Sequence, residues 1–140
     1  MFLAISRSQL FVLDQDEALR FYVDTLGLEV ADDIDLGFMR WLTVRVPGDT
    51  MREILLERPG QPTMDDATST QVRDLLTKGV AGGAIFLTTA DAHATFATLK
   101  SRGVEIYDEP MERPYGIDFG IRDPFGNMIR IGQMFDPTRA

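Results

Sequence analysis

Side chains that could bind a ligand fall on one side of several predicted strands. Alternation along residues 2–13 puts Arg7 and Gln9 on one face of the first strand, opposite the face that carries Leu10. The same face of the later strands carries a mixture of aromatic, apolar and charged residues: Trp41, Ala84, Phe86, Met128 and Arg130. Such a surface is too apolar for water, yet a dry core would reject its charges. We therefore expect a cleft that binds a small molecule.

These residue types allow more than one role. A guanidinium of Arg7 or Arg130 can bind a carboxylate or phosphate through paired hydrogen bonds. Trp41 can stack on a planar ligand, or it can simply fill the space between sheets. Phe86 and Met128 suit packing better than recognition. The sequence thus favours an organic ligand that is anionic, aromatic or both.

Two further polar side chains belong to the same predicted cleft. Asp118 lies on the cleft face by alternation with Ile117 and Phe119. It can pair with Arg130 or Arg122, or act as a general base where burial raises its pKa. Tyr115 comes just before a predicted strand, at the rim of the cleft, where its hydroxyl could reach a ligand.

The sequence pattern of the elements that carry these residues occurs twice in the chain. Gly27-Leu28-Glu29-Val30 returns as Gly103-Val104-Glu105-Ile106. A helical pattern precedes each copy, over residues 16–26 and 91–102, and a strand-like segment follows each, over 52–56 and 128–133. Asp14 and Asp91 are 77 residues apart, as are Pro47 and Pro124. The chain therefore reads as two βαβββ modules.

This pattern predicts an α+β fold in one domain, residues 1–140. Residues 1–58 form the first module, 59–83 a connecting segment with a short helix, and 84–135 the second module. The two modules are expected to form a curved mixed sheet around the cleft. In the connecting segment, we expect Val72, Leu75 and Leu76 to be buried.

Composition excludes several classes of function. The net charge of −8 repels nucleic acid, and no basic cluster offsets it. No apolar run reaches the length of a membrane span, and no signal peptide is evident at the N-terminus. The chain has no cysteine, which excludes thiolate catalysis and makes the cytoplasm the expected location. His93 is the one histidine, and its helix position predicts exposure to solvent.

Two motifs resemble a known superfamily. Phe21-Tyr22 with Leu26-Gly27-Leu28, and the turn Asp123-Pro124-Phe125-Gly126-Asn127, are similar to motifs of the glyoxalase, bleomycin-resistance and extradiol-dioxygenase (vicinal oxygen chelate) superfamily. The resemblance covers nearly the whole chain and implies the paired βαβββ fold. It also implies a homodimer, and in many members a divalent metal ion held by four cleft residues.

Carried over by the resemblance, the four metal positions fall on Arg7, Glu53, Ala84 and Arg130. Only Glu53 can donate to an ion, because a guanidinium has no free lone pair and alanine has no donor atom. We therefore expect no metal and no other cofactor, and an ion pair between Arg7 and Glu53.

Two functions remain open at this point. The first is a metal-free protein that binds a small organic molecule in the cleft, as antibiotic-binding members of the superfamily do. The second is an enzyme, either a glyoxalase-like lyase or isomerase or an extradiol-dioxygenase-like oxidoreductase, with a divalent metal. A metal-independent version of the enzyme would use Glu53 or Asp118 as the base, with Arg7 and Arg130 stabilising an oxyanion.

Overall fold

A computed structural model describes residues 1–80, 84–136 and 138 of the chain. The first module contains β1 (Arg7–Phe11), α1 (Gln15–Leu19), β2 (Glu29–Asp35), β3 (Arg40–Arg45) and β4 (Glu53–Glu57). Helix α1 continues directly as a π-helix over Arg20–Thr25. The connecting segment contains α2 (Asp66–Thr77). The second module contains β5 (Ile85–Thr88), α3 (Ala92–Ser101), β6 (Glu105–Arg113), β7 (Gly116–Arg122) and β8 (Met128–Met134).

Each module forms one four-stranded mixed sheet, and the two sheets share one strand order. The orders are β1-β4-β3-β2 and β5-β8-β7-β6. The first strand of each module pairs in parallel with the last, whereas the other neighbours are antiparallel. The predicted α+β fold with two βαβββ modules is confirmed.

Local signals in the sequence determine where the helices begin and end. The carboxylates of Asp14 and Asp91 accept hydrogen bonds from Glu17 N and Ala94 N, at 2.8 and 3.0 Å, and so cap the two equivalent helices. Gly27 and Gly103 follow these helices with φ of 81° and 78°, a conformation that glycine adopts without strain.

The helices pack on one side of each sheet and leave the other side open. Core residues on the covered sides include Leu10, Leu42 and Leu56 of the first sheet and Phe119 and Ile129 of the second, all at most 2% exposed. These residues belong to one continuous hydrophobic cluster. The two uncovered sides, called here the first and second open face, carry the alternate residues of each strand.

A buried polar contact joins the two modules. The hydroxyl of Tyr22 donates to Asp123 Oδ2 at 2.7 Å, and the amide of Asn127 donates to the same oxygen and to the Phe11 carbonyl. Asp123 Oδ1 accepts the backbone N–H groups of the turn that follows it. Burial, followed by the charge of Asp123, raises the pKa of the Tyr22 hydroxyl. The two sequence motifs thus meet in space at this contact.

The structure departs from the predicted elements at the first strand and along helix α2. The first strand begins at Arg7, and residues 1–6 precede it in no regular element. Helix α2 buries Leu76, but Val72 is only half-buried and Leu75 is 44% exposed, so the predicted burial is right for Leu76 alone. The last part of the connecting segment, residues 81–83, lies outside the described residues. In the described part of the chain, no helix is long and apolar enough to cross a membrane.

Candidate functional site

An ion pair lies on the first open face, between the edge strand β1 and its neighbour β4. Arg7 and Glu53 are partners in the β1–β4 ladder, and the Nε and Nη2 atoms of Arg7 both lie 3.1 Å from Glu53 Oε2. The guanidinium carbon of Arg7 also lies 5.2 Å from the centroid of the Trp41 ring. Arg7 therefore faces a carboxylate and an aromatic ring at once.

The other arginine of this face, Arg45, is also paired with a carboxylate, whereas Gln9 is not paired in the described part of the chain. Gln9 lies opposite Leu55, and its amide nitrogen is buried with no hydrogen-bond partner in the described structure. Arg45 donates to Glu29 at 2.7 Å. Each arginine on the first open face is thus matched by a glutamate.

A network of four charged side chains covers the second open face. Arg130 donates to Asp108 at 2.7 Å and lies 2.8 Å from Asp118 Oδ1. Arg113 donates to Asp118 Oδ1 at 2.7 Å, and the Tyr115 hydroxyl donates to Asp118 Oδ2 at the same distance. The predicted pairing of Asp118 with Arg130 is present in this network, whereas Arg122 is not part of it.

The network sets the ionisation of its members. Burial alone would raise the pKa of Asp118, but hydrogen bonds from Tyr115, Arg113 and Arg130 outweigh it and lower the pKa to about 2. Burial likewise opposes the charge of Arg130, yet its bonds to Asp108 and Asp118 raise the pKa above the usual value. The hydrogen bond to Asp118 raises the pKa of Tyr115. At neutral pH, Asp118 is therefore an ionised hydrogen-bond acceptor and a weak base.

The apolar residues of the second open face differ in exposure. Phe86 lies opposite Arg130 and is 77% exposed, an unusual state for phenylalanine. Met128 is half-buried opposite Arg122. Between the strands that carry Thr88 and Asp118, Gly132 leaves the floor of this face without a side chain.

A cavity of about 810 Å³ lies between the modules. It brings together Arg7, Glu53 and Phe86, but its lining does not include the other six predicted site residues. Those six, which lie elsewhere on the two open faces or their rims, are Gln9, Trp41, Tyr115, Asp118, Met128 and Arg130.

The sequence did not predict part of the cavity wall or three residues of the second open face, which are Tyr107, Asp108 and Arg113. The wall includes Arg45, Asp49 and Arg52, because the turn after β3 folds beside β4. Asp108 was missed because β6 shifts register between Ile106 and Asp108, so that Asp108 and not its neighbour faces Arg130. Strict alternation along a strand gives no sign of a bulge.

The four positions that the resemblance assigns to a metal do not fit one here. Arg130 is paired with Phe86, so the 77-residue spacing that selected Ala84 is wrong by two residues for this strand. Arg7, Glu53, Phe86 and Arg130 contain one possible donor among two cations and a phenyl ring. In the described ranges, no group of three or more histidine or acidic side chains could hold an ion.

Comparison with known proteins shows the class to which this arrangement belongs. Residues 4–131 match the family described as the glyoxalase, bleomycin resistance protein and dioxygenase superfamily. The chain belongs to that superfamily.

Individual relatives agree with this assignment. The protein YurT of Bacillus subtilis (strain 168) is 32% identical over 127 residues, which cover 90% of this chain and 95% of YurT. The crystal structure of UcmS2 is 37% identical, with a TM-score of 0.88 over 94% of this chain and 98% of UcmS2. TnmS3, an antibiotic binding protein from Streptomyces sp. CB03234, is 28% identical, with a TM-score of 0.74 over 95% of this chain and 97% of TnmS3.

Proposed function

We propose that this protein binds a neutral, aromatic small molecule in a cleft lined by its open faces, without a metal ion. The observation that carries the proposal is the pairing of the cleft arginines. Arg7 contacts Glu53, and Arg130 contacts both Asp108 and Asp118. A guanidinium already bound to carboxylates gains little from a ligand anion, because the two anions compete for the same donors.

Aromatic side chains support the second part of the proposal. Trp41 lies on the first open face, and Phe86 exposes most of its surface on the second. Flat, apolar ligands gain burial and ring contacts from such residues. The description of TnmS3 as an antibiotic binding protein supports a small organic ligand.

We further propose a homodimer in which the first open face of one protomer lies against the second open face of its partner. Strands β1 and β5 lie at the edges of their sheets, so each has one side free to pair. A two-fold axis would join these edges twice and enclose two identical clefts. Analytical ultracentrifugation at micromolar concentration is expected to give a dimer of 15.7 kDa chains, and a monomer would contradict this arrangement.

Trp41 is the only tryptophan of the chain, so its indole N–H gives one cross-peak that reports on the first open face. We expect 1-naphthamide to shift this cross-peak in a saturable titration by nuclear magnetic resonance. The matched anion, 1-naphthoate, is expected to bind no more tightly. A naphthoate affinity tenfold higher than that of naphthamide would show that an arginine is free for anions, and no shift with either compound would refute the cleft.

Two variants make this test specific. Gly132→Leu adds a side chain on the cleft floor, where a Cβ would meet Asp118 and Met134 at 3.9 Å, an ordinary contact. It should abolish naphthamide binding without unfolding the protein. His93→Ala, exposed on α3, should bind as the wild type does.

The alternative of a metal-dependent lyase or dioxygenase is tested by metal analysis after dialysis. The residues at the family's metal positions predict less than stoichiometric divalent metal, and one retained ion per chain would overturn the metal-free proposal. A metal-independent enzyme with Asp118 as the base is not favoured, because the pKa of Asp118 is about 2.

We also propose a cytoplasmic location, since the chain contains no cysteine for disulfides.

A further inference from the structure

Tyr107 differs from the other two tyrosines of the chain in how its hydroxyl is used. Tyr22 and Tyr115 each donate to a carboxylate at 2.7 Å. The hydroxyl oxygen of Tyr107 is buried, yet it has no hydrogen-bond partner in the described part of the protein. Arg130 lies close enough for Tyr107 to help raise the pKa of its guanidinium, but its terminal nitrogens bond Asp108 and Asp118 and do not reach hydrogen-bond geometry with the hydroxyl.

The ring of Tyr107 nevertheless lies in a well-formed slot. It covers Gly120, where any Cβ would overlap the ring and its hydroxyl. The guanidinium carbons of Arg122 and Arg130 lie 5.2 and 5.9 Å from its centroid. A glycine floor with two cations over the ring suits any flat aromatic group.

The slot is a property of the second module alone. The bulge that carries Tyr107 between Ile106 and Asp108 has a counterpart between Val30 and Asp32, where the extra residue is Ala31. Alanine has no ring, so the first module has no equivalent slot at this bulge. The aromatic residue is therefore not required by the bulge itself.

We propose that this slot is an aromatic-ring subsite of the cleft, occupied by Tyr107 in the free protein and taken over by a ring of the ligand. The inference rests on the proposed function. The ring of Tyr107 fits the slot, but its hydroxyl lies there without a partner. The equilibrium constant for keeping Tyr107 in the slot is therefore about tenfold lower than it would be with a bonded hydroxyl. A ligand ring without a hydroxyl displaces it, and the tyrosine hydroxyl then reaches water.

The first test empties the slot. Tyr107→Ala should bind toluene, seen as a rise in its melting temperature, and should bind p-cresol less well because the slot offers no partner to a hydroxyl. The double variant Tyr107→Ala, Gly120→Val fills the floor and should lose the toluene effect. Equal or stronger stabilisation by p-cresol, or none by toluene, would overturn the subsite.

The second test separates displacement from direct contact. If Tyr107 blocks the slot, Tyr107→Ala should raise the affinity for 1-naphthamide, whereas loss of a stacking partner would lower it. Tyr107→Phe removes the unpaired hydroxyl and should raise the melting temperature by about 3 °C. It should also weaken naphthamide binding, because the phenyl ring holds the slot more tightly.

The outcomes distinguish this inference from the proposed function. Naphthamide binding by the wild type with a weaker Tyr107→Ala complex would refute displacement and leave the proposed function in place. Toluene binding by Tyr107→Ala without any naphthamide binding by the wild type would support the slot and refute the proposed function.

Discussion

Replacing Asp118 with asparagine tests the charge network of the second open face. Asp118 accepts from Arg113, Tyr115 and Arg130 while only 7% of the residue is exposed. Its pKa falls from 3.8 to about 2 on folding. A shift of this size corresponds to about 2 kcal/mol of stability at neutral pH.

The sign of the pH dependence follows from the direction of the shift. A carboxyl whose pKa is lowered by folding stabilises the protein above its unfolded pKa, and the effect is lost as the pH falls through the folded pKa. The contribution of Asp118 should therefore be about 2 kcal/mol at pH 7, about 1 kcal/mol at pH 3, and absent below pH 2.

Urea unfolding at pH 7, 4 and 3 measures this directly. We expect Asp118→Asn to be about 2 kcal/mol less stable than the wild type at pH 7, with the difference about halved at pH 3. Asp74→Asn is the matched control, because Asp74 bonds Lys78 at 2.8 Å with 63% of its side chain exposed. It should cost at most about 0.5 kcal/mol. An Asp118→Asn protein as stable as the wild type, or a difference that does not change with pH, would refute this account of the network.

Three shorter predictions concern the module contact, a turn and the cleft ion pair. Tyr22→Phe removes a buried hydrogen bond to Asp123 and should lower the free energy of unfolding by about 2 kcal/mol in urea, with naphthamide affinity unchanged; a neutral effect would contradict the contact. Gly126→Ala should cost more than about 1 kcal/mol, because φ is 111° and a Cβ would overlap the Leu76 carbonyl, and an unchanged melting temperature would refute it. Arg7→Met should leave naphthamide affinity within about threefold if the ion pair with Glu53 is structural, whereas complete loss would assign Arg7 to the ligand.

Most of the fold could be predicted because its signals are local and occur twice. Asp14 and Asp91 cap equivalent helices, and Gly27 and Gly103 end them, so a repeat of short-range signals was enough to define the modules. The α2 helix was harder, since its exposed Leu75 beside the buried Leu76 follows from packing against another element. The pattern of the helix alone does not contain that information.

The sequence could predict which residues lie on the open faces better than it could predict the contacts between them. The pairing of Arg7 with Glu53 followed from two neighbouring strands and is present. The partners of Arg130 include Asp108, which follows a shift of register in β6, so its contact with Arg130 was not foreseen. A bulge at Tyr107 changes which of the following side chains share a face, and alternation along the strand does not show it.

The paired charges of the open faces have a consequence for ligand capture. Arg7 with Glu53, and Arg113 and Arg130 with Asp108 and Asp118, leave these walls close to neutral in a chain of net charge −8. Dissolved ions screen unbalanced charge over a Debye length of about 10 Å at 0.1 M salt. An anionic compound should therefore find no local attraction at these walls to offset the net charge of the chain, so its rate of entry should rise with added salt, whereas that of a neutral compound should not change.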